Sequence, residues 1–256
     1  MDVLIPKIRF KGFKSTDYKN VRFTDVARLI HGFQFREGHF SKTGVPVVKI
    51  GNLIPNSGIN TQNSQLVSIN SKLDKFRLFK GDVLMALTGA TLGKVSYVDK
   101  NYGVIYQNYR VAKFKPLEGG DINYIYYLLQ CRFIQNKFHS LVNQAAQPNF
   151  GKQDFIKIKF NIPSIEEQQK IASFLTSVAE KINLLTKKKE LLEKYKKGVM
   201  QKIFSQEIRF KDDNGNNFPY WDNIVLDDLG TTYSGLSGKT SKDFGEGKPF
   251  IQYMQV

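Results

Sequence analysis

Apolar side chains recur every seven positions along residues 163–204, where Ile171, Val178, Leu185, Leu192 and Val199 form one series. Leu175, Ile182 and Ile203 each fall four residues after a member of that series, completing the two apolar columns of a heptad seam. Lys189 and Lys196 interrupt it. Ser164 followed by Glu167 predicts a capping box at the start, and Pro163 stops any upstream strand from running on. Glu166 and Glu167 in the first turn, with Lys194, Lys196, Lys197 and Lys202 near the end, match the polarity of a helix dipole. At about 1.5 Å per residue the helix is roughly 60 Å long. A seam of that length needs a partner.

Upstream the pattern is shorter and mixed. Residues 21–30 carry Val26, Leu29 and Ile30 at helical spacing. Residues 45–50 are β-branched, and 82–87, 94–98, 103–106 and 109–114 read as short strands separated by Thr88-Gly89, Asp99-Lys100-Asn101 and Gln107-Asn108. Ile125, Leu128, Leu129 and Phe133 predict a helix over 122–141 laid on that sheet. Alternation over 155–160 predicts a last half-buried strand. Residues 1–162 therefore read as one α+β domain with a mixed sheet, and the long helix, 163–205, leaves it.

Beyond the helix the chain repeats itself. Ile8-Arg9-Phe10-Lys11 returns letter for letter as Ile208-Arg209-Phe210-Lys211, and Gly44-Val45-Pro46-Val47-Val48 has a counterpart in Gly247-Lys248-Pro249-Phe250-Ile251. Order and offset are similar, so residues 206–256 read as the start of a second copy of the first domain.

Composition narrows the partner. The 256 residues carry 38 Lys+Arg against 23 Asp+Glu, a formal charge of +15, with a pI near 9.7. The preferred partner is then polyanionic, nucleic acid ahead of an acidic membrane surface. The first residues hold no apolar core of signal-peptide length, and no window approaches the ~18 apolar residues of a membrane span. The expectation is a soluble, cytoplasmic protein with no membrane partner. The single cysteine, Cys131, leaves no internal disulfide and reads as a core residue.

Little in the sequence points to catalysis. Gly89-Ala90-Thr91-Leu92-Gly93-Lys94 is close to a phosphate-binding loop, but only three residues separate the glycines and Val95 stands where Ser or Thr would hold magnesium. Gly235-Leu236-Ser237-Gly238-Lys239-Thr240 ends correctly, but Tyr233 takes the first glycine's place. Both read as turns. His31, His39 and His139 lack metal-site spacing, so no metal site is expected. No Gly-x-Ser-x-Gly elbow or amino-methyltransferase base-gripping cluster occurs. What does recur is amide and basic side chains at turns, suited to base edges and phosphates: Lys49, Asn52, Thr88, Lys94, Gln107, Asn108, Arg110, Gln147, Asn149 and Lys152. Any single Asn or Gln there also suits the backbone of its own turn, and only the grouping favours a reading surface.

Three stretches resemble the DNA-specificity subunits of Type I restriction-modification enzymes. They are Gly81-Asp82-Val83-Leu84-Met85-Ala86-Leu87-Thr88-Gly89-Ala90-Thr91-Leu92-Gly93-Lys94-Val95, Gln147-Pro148-Asn149-Phe150, and Ile162-Pro163-Ser164-Ile165-Glu166-Glu167-Gln168-Gln169-Lys170-Ile171-Ala172. The resemblance implies a target-recognition domain over 1–162, a long spacer helix over 163–205 and a partial second recognition domain over 206–256. Members carry two such domains, each followed by a helix, and the helices pair antiparallel. It also implies a non-catalytic subunit that binds double-stranded DNA and docks methyltransferase and, through them, restriction subunits. Those partners, and not this chain, would use S-adenosylmethionine, ATP and Mg2+. The interface would be the seam, Ile171, Leu175, Val178, Ile182, Leu185, Leu192, Val199 and Ile203, with a second copy of the chain able to supply the antiparallel partner. The expected target is bipartite, two half-sites separated by an unread gap. The competing expectation is a general nucleic-acid-binding or coiled-coil scaffold protein without sequence specificity.

Overall fold

Short strands punctuated by glycine and asparagine turns find their partners far along the chain. A computed structural model describes residues 6, 8–55, 57–142, 150–235, 237–238 and 243. In order the elements are β1 (Lys19–Arg22), α1 (Phe23–Val26), β2 (Ala27–His31), β3 (Phe40–Ser41), β4 (Val45–Val48), β5 (Leu66–Val67), β6 (Val83–Ala86), β7 (Val95–Tyr97), β8 (Tyr106–Gln107) and β9 (Val111–Pro116). Then follow α2 (Ile122–Gln130), α3 (Arg132–Val142), α4 (Lys152–Ile156), β10 (Lys159–Ile162), α5 (Ile165–Phe204) and α6 (Leu226–Leu229). Two units separate, residues 1–189 and 190–256.

The first unit is built on an antiparallel sheet in the order β2-β9-β6-β7. One face of that sheet carries Leu29, Phe114, Val83 and Met85 into a core shared with the helices and with the β1–β10 pair. Six phenylalanines are buried in it, Phe160 among them against Phe23 at 6.1 Å. Phe155 meets Phe23 at 5.1 Å, Phe114 and Phe138 at 5.5 Å and Phe150 at 4.7 Å between ring centroids, mostly edge to face as aromatic quadrupoles prefer. The opposite face buries Leu84, Ala86 and Val111 under Val48, Leu53, Ile59 and Leu78. A second sheet, β3-β5-β4-β8, completes the unit with a parallel β4–β8 pairing. The α+β class with a mixed sheet and one long helix is therefore present as expected.

Four expected elements differ; of the strand expected over 103–106 only Tyr106 is in one, and Gln107, expected in a turn, completes it as β8. Only 23–26 of the stretch 21–30 is helical, because both flanks are taken by long-range ladders, Val21 opposite Phe160 and Leu29 opposite Phe114. The helix over 122–141 breaks at Cys131, whose extended backbone lets Leu129 and Ile134 enter one core from two helices; burial pushes its thiol up. Instead of a strand over 155–160, the chain forms α4 and then β10. The Asp154 carboxylate accepts the Gly151 N–H at 3.0 Å and starts that turn, which carries Phe155 into the aromatic cluster.

The start of α5 is fixed by buried polar groups. Ser164 Oγ accepts the Glu167 N–H at 3.4 Å, but the return half of the expected capping box is absent. The Glu167 carboxylate turns instead to Arg9, receiving Nε–H at 2.9 Å and a second N–H at 2.5 Å in a bidentate pair. Hydrogen bonds from its own N–H and from the Ser164 hydroxyl hold the Glu166 carboxyl below its ordinary range. Gln168 is buried, accepts the Asp121 N–H at 3.0 Å and donates to the Gly119 and Pro163 carbonyls at 2.8 and 3.0 Å. Ala172 is buried, Ile171 and Leu175 half-buried, and Thr176 Oγ1 bonds Tyr127 OH at 3.1 Å. The first turns of α5 thus belong to the first unit, and Ile171 and Leu175 line a cleft of their own domain with Tyr124 and Leu128. Val178, Ile182, Leu184 and Leu185 are exposed.

In the second unit Leu191, Leu192 and Tyr195 are exposed, Val199 and Ile203 half-buried, and the Phe204 ring meets Trp221 at 6.0 Å. Arg209 lies over the Tyr220 ring at 5.4 Å, as Arg9 lies over Tyr18 at 4.7 Å. The short helix α6 stands at the same offset from α1 as Gly247 does from Gly44. The stretch 247–251, which the repeat also predicts, lies outside the described residues.

Phe155→Ala is expected to destabilise the protein by about 3–5 kcal/mol, as large-to-small changes at a packed aromatic do. Gln168→Ala, which strands an amide and two carbonyls, should cost about 1–3 kcal/mol. Urea unfolding followed by circular dichroism measures both.

Candidate nucleic-acid interface

Five segments meet where strands of the two sheets end. Phe33 N–H donates to Gln107 C=O at 2.9 Å and Tyr109 N–H to Phe33 C=O at 3.0 Å. Asn108 N–H reaches Val48 C=O at 3.0 Å, Leu87 N–H reaches Arg110 C=O at 2.9 Å, and Phe150 N–H reaches Leu87 C=O at 2.9 Å. Residues 32–33, 48–49, 87–88, 108–110 and 150 are thereby stitched into one surface. Gly32 permits this: a Cβ there would stand 2.2 Å from the Gln107 carbonyl oxygen.

The amides turn out to build the surface from within. Gln107 is fully buried and gives its Nε2 hydrogens to Ile30 C=O at 2.8 Å and Val111 C=O at 2.7 Å, while its Oε1 has no hydrogen-bond partner. Asn108 is buried and its Oδ1 accepts the Arg110 N–H at 3.2 Å. Asn52 Oδ1 accepts the Lys49 N–H at 2.8 Å, and its Nδ2 goes to Asn60 C=O and Ser64 Oγ at 2.8 and 3.0 Å. Asn108 and Asn52 hold turns, as amides in loops commonly do, and Gln107 ties two strand carbonyls. They shape the surface without offering their own side chains.

The basic side chains face outward. Arg110 is exposed, its Nε–H donating to Tyr109 OH at 2.8 Å with the guanidinium 5.3 Å from that ring's centroid. The remaining N–H groups form a fork pre-set for two acceptors. Lys49 Nζ sits 4.4 Å from the Phe40 ring centroid and donates to Gln65 Oε1. Burial, and next the positive charge of Arg110, push the Lys49 amine below its ordinary value. The two cations therefore share one patch, and an anion brought there would relieve both.

Thr88 is half-buried beside them and starts the 89–91 turn without a side-chain cap. Lys94 lies on the far side of that turn, which is a hairpin link between β6 and β7: Ala86 N–H bonds Lys94 C=O at 2.9 Å and Gly93 N–H bonds Ala86 C=O at 3.0 Å. Lys152 is exposed at the start of α4. Gln147 and Asn149 lie outside the described residues. Sequence reading passed over an aromatic group joined to the same surface. Phe33 packs against Phe35 at 4.9 Å, Phe76 at 5.5 Å and the His39 ring at 5.5 Å, and His39 Nδ1 accepts the Arg36 N–H at 2.9 Å. Only Tyr109, adjacent to Arg110, gave a sequence signal for it.

Such a surface offers a guanidinium fork, an ammonium and aromatic rings, the groups that bind phosphates and purine edges. Among the described residues no cluster of three or more His, Cys, Asp or Glu side chains could hold a metal, and no helix is long and apolar enough to cross a membrane.

Comparison with known proteins places the chain. It is 27% identical over 208 residues to the Type I restriction enzyme MjaVIII specificity subunit of Methanocaldococcus jannaschii, covering 77% of this chain and 48% of that protein. The putative type I restriction enzyme MjaX specificity subunit of the same organism is 24% identical over 274 aligned positions, covering 98% of this chain and 64% of its own length. The chain thus spans about half to two thirds of the relatives it matches. Among solved structures, the S subunit of a Type I restriction-modification system from M. genitalium superposes with a TM-score of 0.55 at 19% identity, over 82% of this chain and 50% of that one. A chain from a study of type I R-M complex assembly and conformational transition gives 0.52 at 15% identity, over 78% and 48%. Residues 15–194 match the model of the Type I restriction modification DNA specificity domain, and the chain belongs to that family.

Proposed function

We propose that this chain reads double-stranded DNA sequence-specifically as a specificity subunit of a Type I restriction-modification complex. The observation that carries it is the convergence of Arg110, Tyr109 and Lys49 at the ends of strands from both sheets, in a chain of this family. Phosphate contacts set register and the Arg110 fork reads a base edge, with guanine O6 and N7 the pair that best matches two parallel N–H groups. Catalysis belongs to the partners: methyltransferase subunits and, through them, a restriction subunit, which use S-adenosylmethionine, ATP and Mg2+. The chain itself works in the cytoplasm and binds none of these cofactors.

The exposed apolar residues of α5, from Val178 onward, supply the second half of the proposal. A second copy of the chain pairs with this helix in antiparallel orientation, and the helix sets the distance between two recognition domains. Two identical readers on a two-fold axis demand an inverted repeat with a fixed gap. The Arg209–Tyr220 contact and α6 support reading residues 206–256 as the beginning of a second recognition domain.

Selection of random duplexes on the purified chain with its methyltransferase is expected to return a gapped inverted repeat. An asymmetric bipartite site would instead mean that the chain works beside a different reader, and no enriched site at all would reject sequence-specific binding. With the site in hand, Arg110→Ala should relax preference at one base position by about 1–3 kcal/mol, measured by competition between matched and singly changed duplexes. Leu185→Asp, which puts a charge into the seam, is expected to abolish pairing while the recognition domain stays folded. Light scattering together with circular dichroism tests it, and unchanged mass would exclude the seam as the interface.

A further inference from the structure

Two pairs of strands place cations directly opposite cations. In the β2–β9 register Arg28 faces Lys115, and in the β1–β10 register Arg22 faces Lys159. All four are exposed. Directly opposed like charges destabilise a strand pair, so the fold gains nothing from either. One cation of each pair, Arg22 and Arg28, reaches a common cleft. A cleft of about 330 Å³ is lined by Arg22 and Arg28 together with Lys152, over a floor of Phe23, Leu29 and Phe155.

Neighbouring acids do not neutralise this group. The Asp25 carboxylate accepts the Arg22 N–H at 2.8 Å within its own turn, and Asp154 is occupied by Gly151 N–H and by Lys157 at 3.3 Å. Lys113, two residues before Lys115 on the same strand, is by contrast paired with Asp82 at 3.4 Å and donates to Arg77 C=O at 3.0 Å. Arg22, Arg28, Lys115, Lys152 and Lys159 form no ion pair among the described residues.

We infer that the cleft lined by Arg22, Arg28 and Lys152, with Lys159 and Lys115 opposite the two arginines in register, holds the sugar-phosphate backbone of a DNA duplex, beside the surface that reads bases. The chemistry fits a phosphodiester chain: anionic oxygens meet the opposed cations, and the apolar face of a deoxyribose meets Phe23, Leu29 and Phe155. The spacing fits too. Arg28 precedes Phe33 by five residues and Lys115 follows Arg110 by five, so at about 3.3 Å per residue these two cations lie roughly 17 Å from the reading end. That is the scale on which phosphates flank a major groove about 12 Å wide. The inference rests on the duplex-binding function proposed above, and assigns affinity, rather than sequence choice, to this face.

The test uses the full chain and a mixed-sequence duplex, which needs no knowledge of the target. Arg28→Gln with Lys115→Gln, and separately Arg22→Gln with Lys159→Gln, are compared with Lys188→Gln plus Lys197→Gln on α5, which changes net charge equally. Each cross-strand double variant is expected to flatten the slope of log affinity against log salt by about two phosphate contacts, at roughly 0.9 per contact. It should also melt no lower than the parent, since a repulsive pair has been removed. An unchanged slope, or a loss no larger than in the helix control, overturns the inference. So does a melting point lowered by several degrees, which would make the cations structural. If the variants weaken only an enriched site and leave mixed duplex untouched, the face reads bases and is not a backbone clamp. Failure of the selection experiment leaves this measurement intact, because random duplex binding reports phosphates alone.

Discussion

Two polar side chains at the first turn of α5 hold the architecture together. A carboxylate as deeply buried as Glu167 is tolerable only if its charge is met, and Arg9 meets it with two parallel hydrogen bonds. Gln168 applies the same rule in neutral form by satisfying an N–H and two carbonyls of the 119–121 turn and of Pro163. Both groups tie segments more than 45 residues apart in sequence to one helical turn. The first turn of α5 is therefore fixed by directional hydrogen bonds, to which the packing of Ile171, Ala172 and Leu175 on the same domain adds. Beyond that anchored start, Val178, Ile182, Leu184 and Leu185 stand exposed.

The reading surface follows the same logic on a smaller scale. The strand ends stand on an interlocked aromatic core, so their positions hardly yield. The variable part is limited to what side chains at 49, 109 and 110 offer. Gln107 lies beneath them and ties the Ile30 and Val111 carbonyls of two neighbouring strands. Its unpartnered Oε1 is an unpaid polar atom in the interior, retained where the crossing of Phe33 over Gln107 sets the surface above it. Specificity can then change by exchange of exposed side chains without disturbing what positions them.

Legibility in the sequence tracked the range of the interactions involved. The long helix was readable because heptad spacing and terminal charges are local, and the α+β class because strand-sized runs alternate with turns. Residues 21–30 and 155–160 were misread because their apolar spacing suits two periods at once, and long-range pairing of Val21 with Phe160 and Leu29 with Phe114 decides between them. The capping box was half right for a related reason: Glu167 has a stronger partner 158 residues away than the backbone beside it. Gln107, Asn108 and Asn52 show the limit at the site. Their composition suits a base edge and a turn equally, and only burial tells them apart. Phe33 and His39 gave no signal, since nothing near them in sequence reveals that Tyr109 and Arg110 close over the same place.

Strands β2 and β9 join the two faces that matter. Each strand begins or ends at the reading surface, through Phe33 and Arg110, and carries an unpaired cation at its other end, Arg28 and Lys115. Because the strands are hydrogen-bonded along their whole shared length, neither end can shift register without the other. A one-residue slip of β2 on β9 would turn Leu29 out of the core and Arg28 into it, while β6 holds β9 in place. Hydrophobic alternation thus enforces, at the same stroke, a closed core and a constant distance between Arg110 and the Arg28–Lys115 pair. The DNA reading proposed above would depend on that constancy, since a phosphate anchor that drifted relative to the reader would bind every register of the duplex equally well.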